Sequence, residues 1–273
     1  MIIDTHVHIG KILNFDMPED AVIASMEQYN IDFSLVSNGE AAEFDHQQNP
    51  IPKELQFSQL DCFEKTLKFA RKYPAKIGVM PWVKVASERP DEVFEQLLKE
   101  NLNSVFGIKI HPFHSKTPFD SEKVESYIKL AQTYNLPVVT HTGGSDDASP
   151  KRVYHMALNY PDVNFVLVHM GLGTDNEEAI RLISQLPNLY GDTTWVPIES
   201  TVKLIKLCGS KKIVFGSDNP IDGKDTYYCN KTGERSMYQQ YFNELKNLLS
   251  EEDYENLMYR NAIKLFHLDK IVK

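Results

Sequence analysis

The chain has 273 residues, 42% of them hydrophobic, and a net charge of -9 at neutral pH. That length suits one large α/β barrel or two small domains, and the apolar content is ample for a core. The acidic balance, with no basic run to follow a phosphate backbone, argues against a nucleic-acid partner. Cys62, Cys208 and Cys229 are widely spaced and form no Cys-x-x-Cys pair, which fits a reducing compartment and not a thiolate zinc cluster. No apolar run reaches the length of a membrane span, and no charged leader precedes the first apolar run, so a cytoplasmic protein without a membrane partner is expected.

Short β-branched runs alternate with amphipathic stretches from end to end, the pattern of repeated βα units on a parallel sheet. Strands are predicted at Ile2–Ile9, Phe33–Ser37, Ile77–Trp82, Phe106–Ile110, Pro137–His141, Asn164–His169, Leu189–Asp192 and Lys212–Ser217. Helices are predicted at Pro18–Tyr29, Asp61–Tyr73, Pro90–Glu100, Ser121–Tyr134, Pro150–Tyr160, Asn176–Gln185, Ile198–Cys208 and Ser236–Leu249. Several open with proline or an acidic residue in the first turn, as helix starts prefer. Eight such units predict an α/β fold with a single (β/α)₈ TIM barrel over residues 1–273, with room for distortion, since a doubly wound sheet normally stops at five or six strands. No low-complexity segment or Ser/Gly linker marks a boundary. Long connections follow strand two (Asn38–Leu60) and strand eight (Asp218–Arg235), and both should emerge at the C-terminal rim as lids or pocket walls.

The first strand carries Asp4-Thr-His-Val-His8. Alternation along a strand projects His6 and His8 the same way, and two neutral imidazoles on rigid backbone make half of a metal site. Strand four places Lys109 and His111 on one face, strand five ends at His141, strand six at His169, and strand eight leads into Asp218. Five of the nine histidines thus fall at strand ends that a barrel gathers on its C-terminal face. His6, His8, His141 and Asp218 offer three nitrogens and one carboxylate oxygen to a Zn²⁺-like ion, with space for a water whose pKa the ion would lower. Asp218 beside that water would serve as ligand and general base. His169 would face the substrate as proton donor, oxyanion stabiliser or ligand of a second metal.

In that order on strands one, five, six and eight, these residues resemble the amidohydrolase superfamily of metal-dependent barrels. The resemblance is closest to its amidohydrolase-related branch, which includes the aminocarboxymuconate semialdehyde decarboxylase-like enzymes. Gly107-Ile-Lys-Ile-His-Pro112, Leu136-Pro-Val-Val-Thr-His-Thr-Gly143 and Lys212-Ile-Val-Phe-Gly-Ser-Asp-Asn-Pro220 match as well, and Asn261-Ala-Ile-Lys-Leu-Phe266 looks like the branch's closing helix. The resemblance spans the chain. It implies metal ligation by His6, His8, His141 and Asp218, with His169 near the reacting group. Strand four is similar to the corresponding urease segment, so Lys109 either bridges two metals as a carbamate or packs inside the barrel beside an acid such as Asp4, and the second is expected. His111, nearer the mouth, is the better candidate to touch metal or substrate. One divalent ion is expected, with zinc first and manganese or iron as other choices, and a second ion stays open. Related barrels commonly pair, which leaves a homodimer open.

Trp82, at the end of strand three, is a candidate pocket wall, with plain packing the equal alternative. Glu40, Asp45 and His46 read as a solvated loop. Asp192 and Trp195 face the rim and suit either substrate contact or capping and packing. Thr142-Gly143-Gly144 would let a ligand approach the backbone. Lys231 or Arg235, beside Tyr227, Tyr228 and Cys229, would hold a substrate carboxylate. The leading function is a metal-dependent hydrolase cleaving a C–N or ester/lactone bond of a small, carboxylated molecule. The alternative is a non-oxidative decarboxylase or hydratase with the same metal site. A TatD-type nuclease ranks lower, because strand four lacks its acidic ligand and the net charge disfavours nucleic acid. A non-catalytic metal-binding barrel ranks lower too, because every expected ligand is present.

Overall fold

The computed structural model describes residues 1–13, 15–221 and 239–271. Its strands are β1 (Ile3–Ile12), β2 (Phe15–Met17), β3 (Phe33–Asn38), β4 (Ile77–Val79), β5 (Ile108–Ile110), β6 (Val138–Gly143), β7 (Phe165–Leu172), β8 (Leu189–Asp192) and β9 (Ile213–Val214). All eight strands expected from the sequence are present and pair in parallel, while β2 adds an antiparallel hairpin arm to β1. They form two sheets rather than one, in the orders β2-β1-β3-β4 and β5-β6-β7-β8-β9. Isolated parallel bridges cross both seams, Trp82 with Lys109 on one side and Val7 with Asn219 on the other. The seams form where strands are shorter than expected. Pro81, which has no N–H to give a neighbour, follows β4, and left-handed backbone at Asp218 (φ 66°) ends the run after β9.

Alternation explains the layering. Val138, Phe165, Leu167, Ile108, Ile110 and Phe215 point outward into a large core shared with the helices. Ile3, Leu35, Met80, Val139, Val166, Val168 and Val214 point inward and meet Ala262, Leu265 and Phe266, which close one end. In β1 the register shifts between Asp4 and Val7. That shift lets Ile3 join the inner cluster while Val7 and Ile9 face out, which leaves His6 and His8 facing in.

The helices are α1 (Glu19–Tyr29), α2 (Gln59–Lys72), α3 (Glu92–Glu100), α4 (Pro112–Ser115), α5 (Glu122–Thr133), α6 (Pro150–Asn159), α7 (Glu177–Ile183), α8 (Ile198–Cys208), α9 (Gln239–Asn243), α10 (Glu251–Glu255) and α11 (Asn261–Leu265). Helix α2 starts before the expected Asp61 because Ser58 and Asp61 form a reciprocal cap: Ser58 Oγ accepts from Asp61 N at 3.0 Å, and Ser58 N donates to Asp61 Oδ2 at 3.2 Å. The one-turn α4 was not expected. It follows Pro112 at its first turn and is capped by the His111 ring. No helix among the described residues is long and apolar enough to cross a membrane. Most of the predicted connection Asp218–Arg235 and the start of the predicted helix Ser236–Leu249 lie outside the described residues.

Candidate metal centre

The inward positions at the strand ends open on a cavity of about 410 Å³. His6, His8, His46, His111, His114, His141 and His169 all line it, with Trp82, Phe113, Trp195 and Asp218. Seven of the nine histidines are therefore in one place.

At its floor His6 Nε2 and His8 Nε2 lie 2.9 Å apart. Asp218 Oδ1 is 3.1 Å from His8 Nε2 and 3.7 Å from His6 Nε2. Ligand atoms of these three residues all fall within 4.8 Å of one another, a spacing one divalent cation can span. The opposite ring nitrogens are held from behind. His6 Nδ1 lies 3.2 Å from Thr194 Oγ1 and 3.4 Å from Asp192 Oδ2, and His8 Nδ1 lies 3.0 Å from Ser37 Oγ. With Nδ1 carrying the proton, each Nε2 turns a lone pair into the site, the orientation a metal ligand needs. Burial pushes the His6 imidazole well below its ordinary range, reinforced by the Lys109 charge and opposed by Asp218. Burial likewise lowers His8, so both rings are neutral donors. Burial works to raise the Asp218 carboxyl, but the adjoining His8 and His6 rings hold it well below the usual range. The residues present thus fit a divalent ion: two imidazoles and one carboxylate, buried and pre-oriented.

His141, the fourth expected ligand, lies in the same cavity but outside this tight group. Its ring stacks on His111 at 4.1 Å between centroids and meets His169 edge-on at 4.7 Å. His169 sits at φ 66°, a left-handed turn that swings its side chain inward off the β7 alternation. Its Nδ1 donates to the Thr194 carbonyl at 3.1 Å, which leaves Nε2 as the free position. Lys109 is fully buried, with Nζ 2.9 Å from His6 Nε2. Burial pushes its amine down to about 8 against the opposing Asp218 and Asp192 charges. The expected pairing of Lys109 with Asp4 is not what the structure shows, because Asp4 accepts from Ser217 N at 3.1 Å, from the Ser217 hydroxyl, and from His6 N at 3.2 Å. His111 Nδ1 accepts the His114 N–H at 3.3 Å, so the neutral ring carries its proton on Nε2 and presents a donor, not a metal lone pair. Its ring lies parallel to Trp82 at 4.7 Å, which makes Trp82 a pocket wall.

The matching family model, described as amidohydrolase, covers residues 3–268. The chain belongs to the amidohydrolase family. Among solved structures, it is similar to 2,6-dihydroxybenzoate decarboxylase from Rhizobium (TM-score 0.67, 15% identity, 98% of this chain and 99% of the other). It is also similar to 5-carboxyvanillate decarboxylase from Sphingomonas paucimobilis (0.65, 12%, 97% and 98%). A third likeness is to a dihydroxybenzoic acid decarboxylase from Polaromonas with bound manganese and the inhibitor 2-nitroresorcinol (0.65, 14%, 98% and 97%). A comparison with curated proteins finds no match.

In this amidohydrolase, further residues bear on the site beyond the expected ligands. Asp192, fully buried, accepts His169 N at 2.8 Å and the Thr194 hydroxyl at 2.6 Å while backing His6. Burial raises its carboxyl above the ordinary range. His46, read as a solvated loop residue, lines the cavity because the loop is lashed to α4: Glu43 N and Phe44 N donate to the His114 carbonyl at 2.9 Å, and His114 Nδ1 to the Phe44 carbonyl at 2.6 Å. Glu40 pairs with Lys65 at 2.5 Å, and Asp45 Oδ1 accepts Gln47 N and Asn49 N within its own turn. Gly143 (φ 103°) is required where it stands, since a Cβ there would lie 2.2 Å from Leu172 N. Lys231 and Arg235 lie outside the described residues.

Proposed function

We propose that this amidohydrolase is a metal-dependent decarboxylase of a small aromatic carboxylate, built as a single (β/α)₈ barrel domain over residues 1–273. The two sheets with bridged seams support the barrel, and His6, His8 and Asp218, with His141 beside them, are the proposed ligands. The observation that carries the reading is the shape and chemistry of the cavity. Flat walls from Trp82, Phe113, Trp195 and the His111 ring stand over the donor group, a fit for a planar ring with an oxygen-bearing edge turned to the floor. The likeness to decarboxylases of hydroxylated benzoates points the same way.

His6, His8 and Asp218 would hold a divalent cation at the floor, and its chemistry there would be positive charge beside a bound carboxylate. His111 Nε2–H offers the substrate a hydrogen bond from the wall, and the aromatic faces exclude water from the ring. His169, anchored through Nδ1, would take up a proton from solvent at Nε2 as the anionic substrate binds, against the burial that lowers its imidazole, and pass it to the ring carbon that bears the carboxylate. The C–C bond then breaks, its electron pair restores the aromatic ring, and CO₂ leaves, so that ArCO₂⁻ and H⁺ become ArH and CO₂. Asp218 is poorly placed for this duty, because Oδ1 faces His8 and Oδ2 accepts the Trp195 N–H at 2.8 Å. Manganese and zinc both suit the donors.

The test is product analysis of protein loaded with either ion, offered 2-hydroxybenzoates alongside lactones and amides. CO₂ release is expected, and it should vanish in His8→Ala and Asp218→Asn. Ring-opening of a lactone without CO₂ would restore the hydrolase reading, and bound metal with no turnover would favour a binding protein.

A further inference from the structure

We propose that Trp195 is a positioning residue for the metal centre: its indole N–H occupies one oxygen of Asp218 and leaves the other as a single donor. The inference rests on the metal-centre reading above. Trp195 Nε1 donates to Asp218 Oδ2 at 2.8 Å, while Oδ1 is the oxygen beside His8 and His6. Both residues sit in left-handed backbone without being glycine, Trp195 at φ 56° and Asp218 at φ 66°. Non-glycine residues hold such angles only where the surroundings over-determine them.

Two threonines of the same turn supply those surroundings. Thr193 Oγ1 donates to the Gly216 carbonyl at 2.9 Å and accepts Gly216 N at 3.0 Å, which clamps the turn after β8 to the segment carrying Asp218. Thr194, next in the chain, is tied to Asp192 and lies against His6. One short turn therefore orients His6 from behind and Asp218 from the side.

The chemical consequence is denticity. A free aspartate can chelate through both oxygens, which suits large ions of high coordination number, whereas four-coordinate zinc takes one oxygen per carboxylate. By engaging Oδ2, Trp195 holds Asp218 to one bond and biases the site toward low coordination.

The test measures metal affinity of the metal-free protein by chelator competition, for zinc and for manganese, in wild type, Trp195→Phe and Trp195→His. In Trp195→Phe zinc binding should weaken about tenfold, with manganese affected less, so that the ratio of the two shifts toward manganese. Trp195→His, which again presents a ring N–H, should move the ratio back. Unchanged affinities and ratio in Trp195→Phe overturn the inference alone, while a wild type that binds neither ion overturns the metal-centre reading too. A second readout needs no variant. The chain has two tryptophans, so the indole ¹⁵N spectrum holds two signals to assign. The Trp195 indole proton should exchange slowly with solvent before and after zinc is added; fast exchange after loading also overturns the proposal.

Discussion

Asp192→Asn is the most informative single change behind the metal site. The carboxylate is fully buried, accepts His169 N at 2.8 Å and Thr194 N at 3.2 Å through Oδ1, and presents Oδ2 to the Thr194 hydroxyl at 2.6 Å and to His6 Nδ1 at 3.4 Å. An asparagine keeps an oxygen for the two backbone donors, so the loss to the fold is about one hydrogen bond, roughly 1 kcal/mol. At the other position the amide NH₂ confronts the His6 Nδ1–H, donor against donor. The ring escapes by moving its proton to Nε2, which removes the lone pair that faces Asp218. Loss of such an orienting partner typically costs 10- to 100-fold in metal affinity, about 1.4 to 2.7 kcal/mol. Chelator competition on the metal-free variant reads the affinity, and ¹⁵N shifts of the imidazoles read the tautomer. Wild-type affinity together with a retained Nδ1–H on His6 would refute the argument.

Burial drives the His114 imidazole down to about 4, against the Phe44 carbonyl, from an ordinary 6.5. A depressed folded-state value means its contribution is complete above pH 6.5 and drains as pH falls toward 4, to a total of about 3 kcal/mol. Urea unfolding across that window should therefore show a steeper acid loss in wild type than in His114→Asn, and parallel profiles would refute this. Lys109→Met is expected to retain one equivalent of metal by elemental analysis, since Lys109 Nζ contacts the His6 ring and stands outside the His6, His8 and Asp218 donor group; loss of the ion would show that the lysine is itself a ligand as its carbamate. Gly216→Ala would place a Cβ 2.6 Å from Thr194 Oγ1 and 2.7 Å from Asp192 Oδ2. It should cost about 1–3 kcal/mol by calorimetry and loosen metal binding as well; a variant as stable and as tight as wild type would contradict the geometry.

Much of this site can be read from strand periodicity. Lys109 with His111, and Val139 with His141, differ by two residues within a strand or its immediate extension, so their shared inward face follows from the pleat. What periodicity cannot show is backbone that departs from it. The inward turn of His169 depends on a left-handed residue, and the placement of Ile3 together with His6 depends on a register shift in β1. His46 and His114 were hidden for another reason: their positions follow from hydrogen bonds between a loop and a one-turn helix far apart in sequence. A signal for His114 did exist in Pro112, which starts a turn immediately after a strand-end histidine. Spacing puts Asp192 and Trp195 at the rim, but their work on His6 and Asp218 is a matter of partners.

The seam between β1 and the segment after β9 is stitched by Asp218 N to the His6 carbonyl at 2.9 Å and His8 N to the Asn219 carbonyl at 2.8 Å. His6 and His8 stand on one side of that join and Asp218 on the other. An ion gripped by all three would act as a rivet, fastening two halves of the molecule at a line where the ladder is thinnest. Loading should then slow amide hydrogen exchange first at His8 and Asp218, and the fold would tighten by an amount that grows with the logarithm of free ion above its dissociation constant.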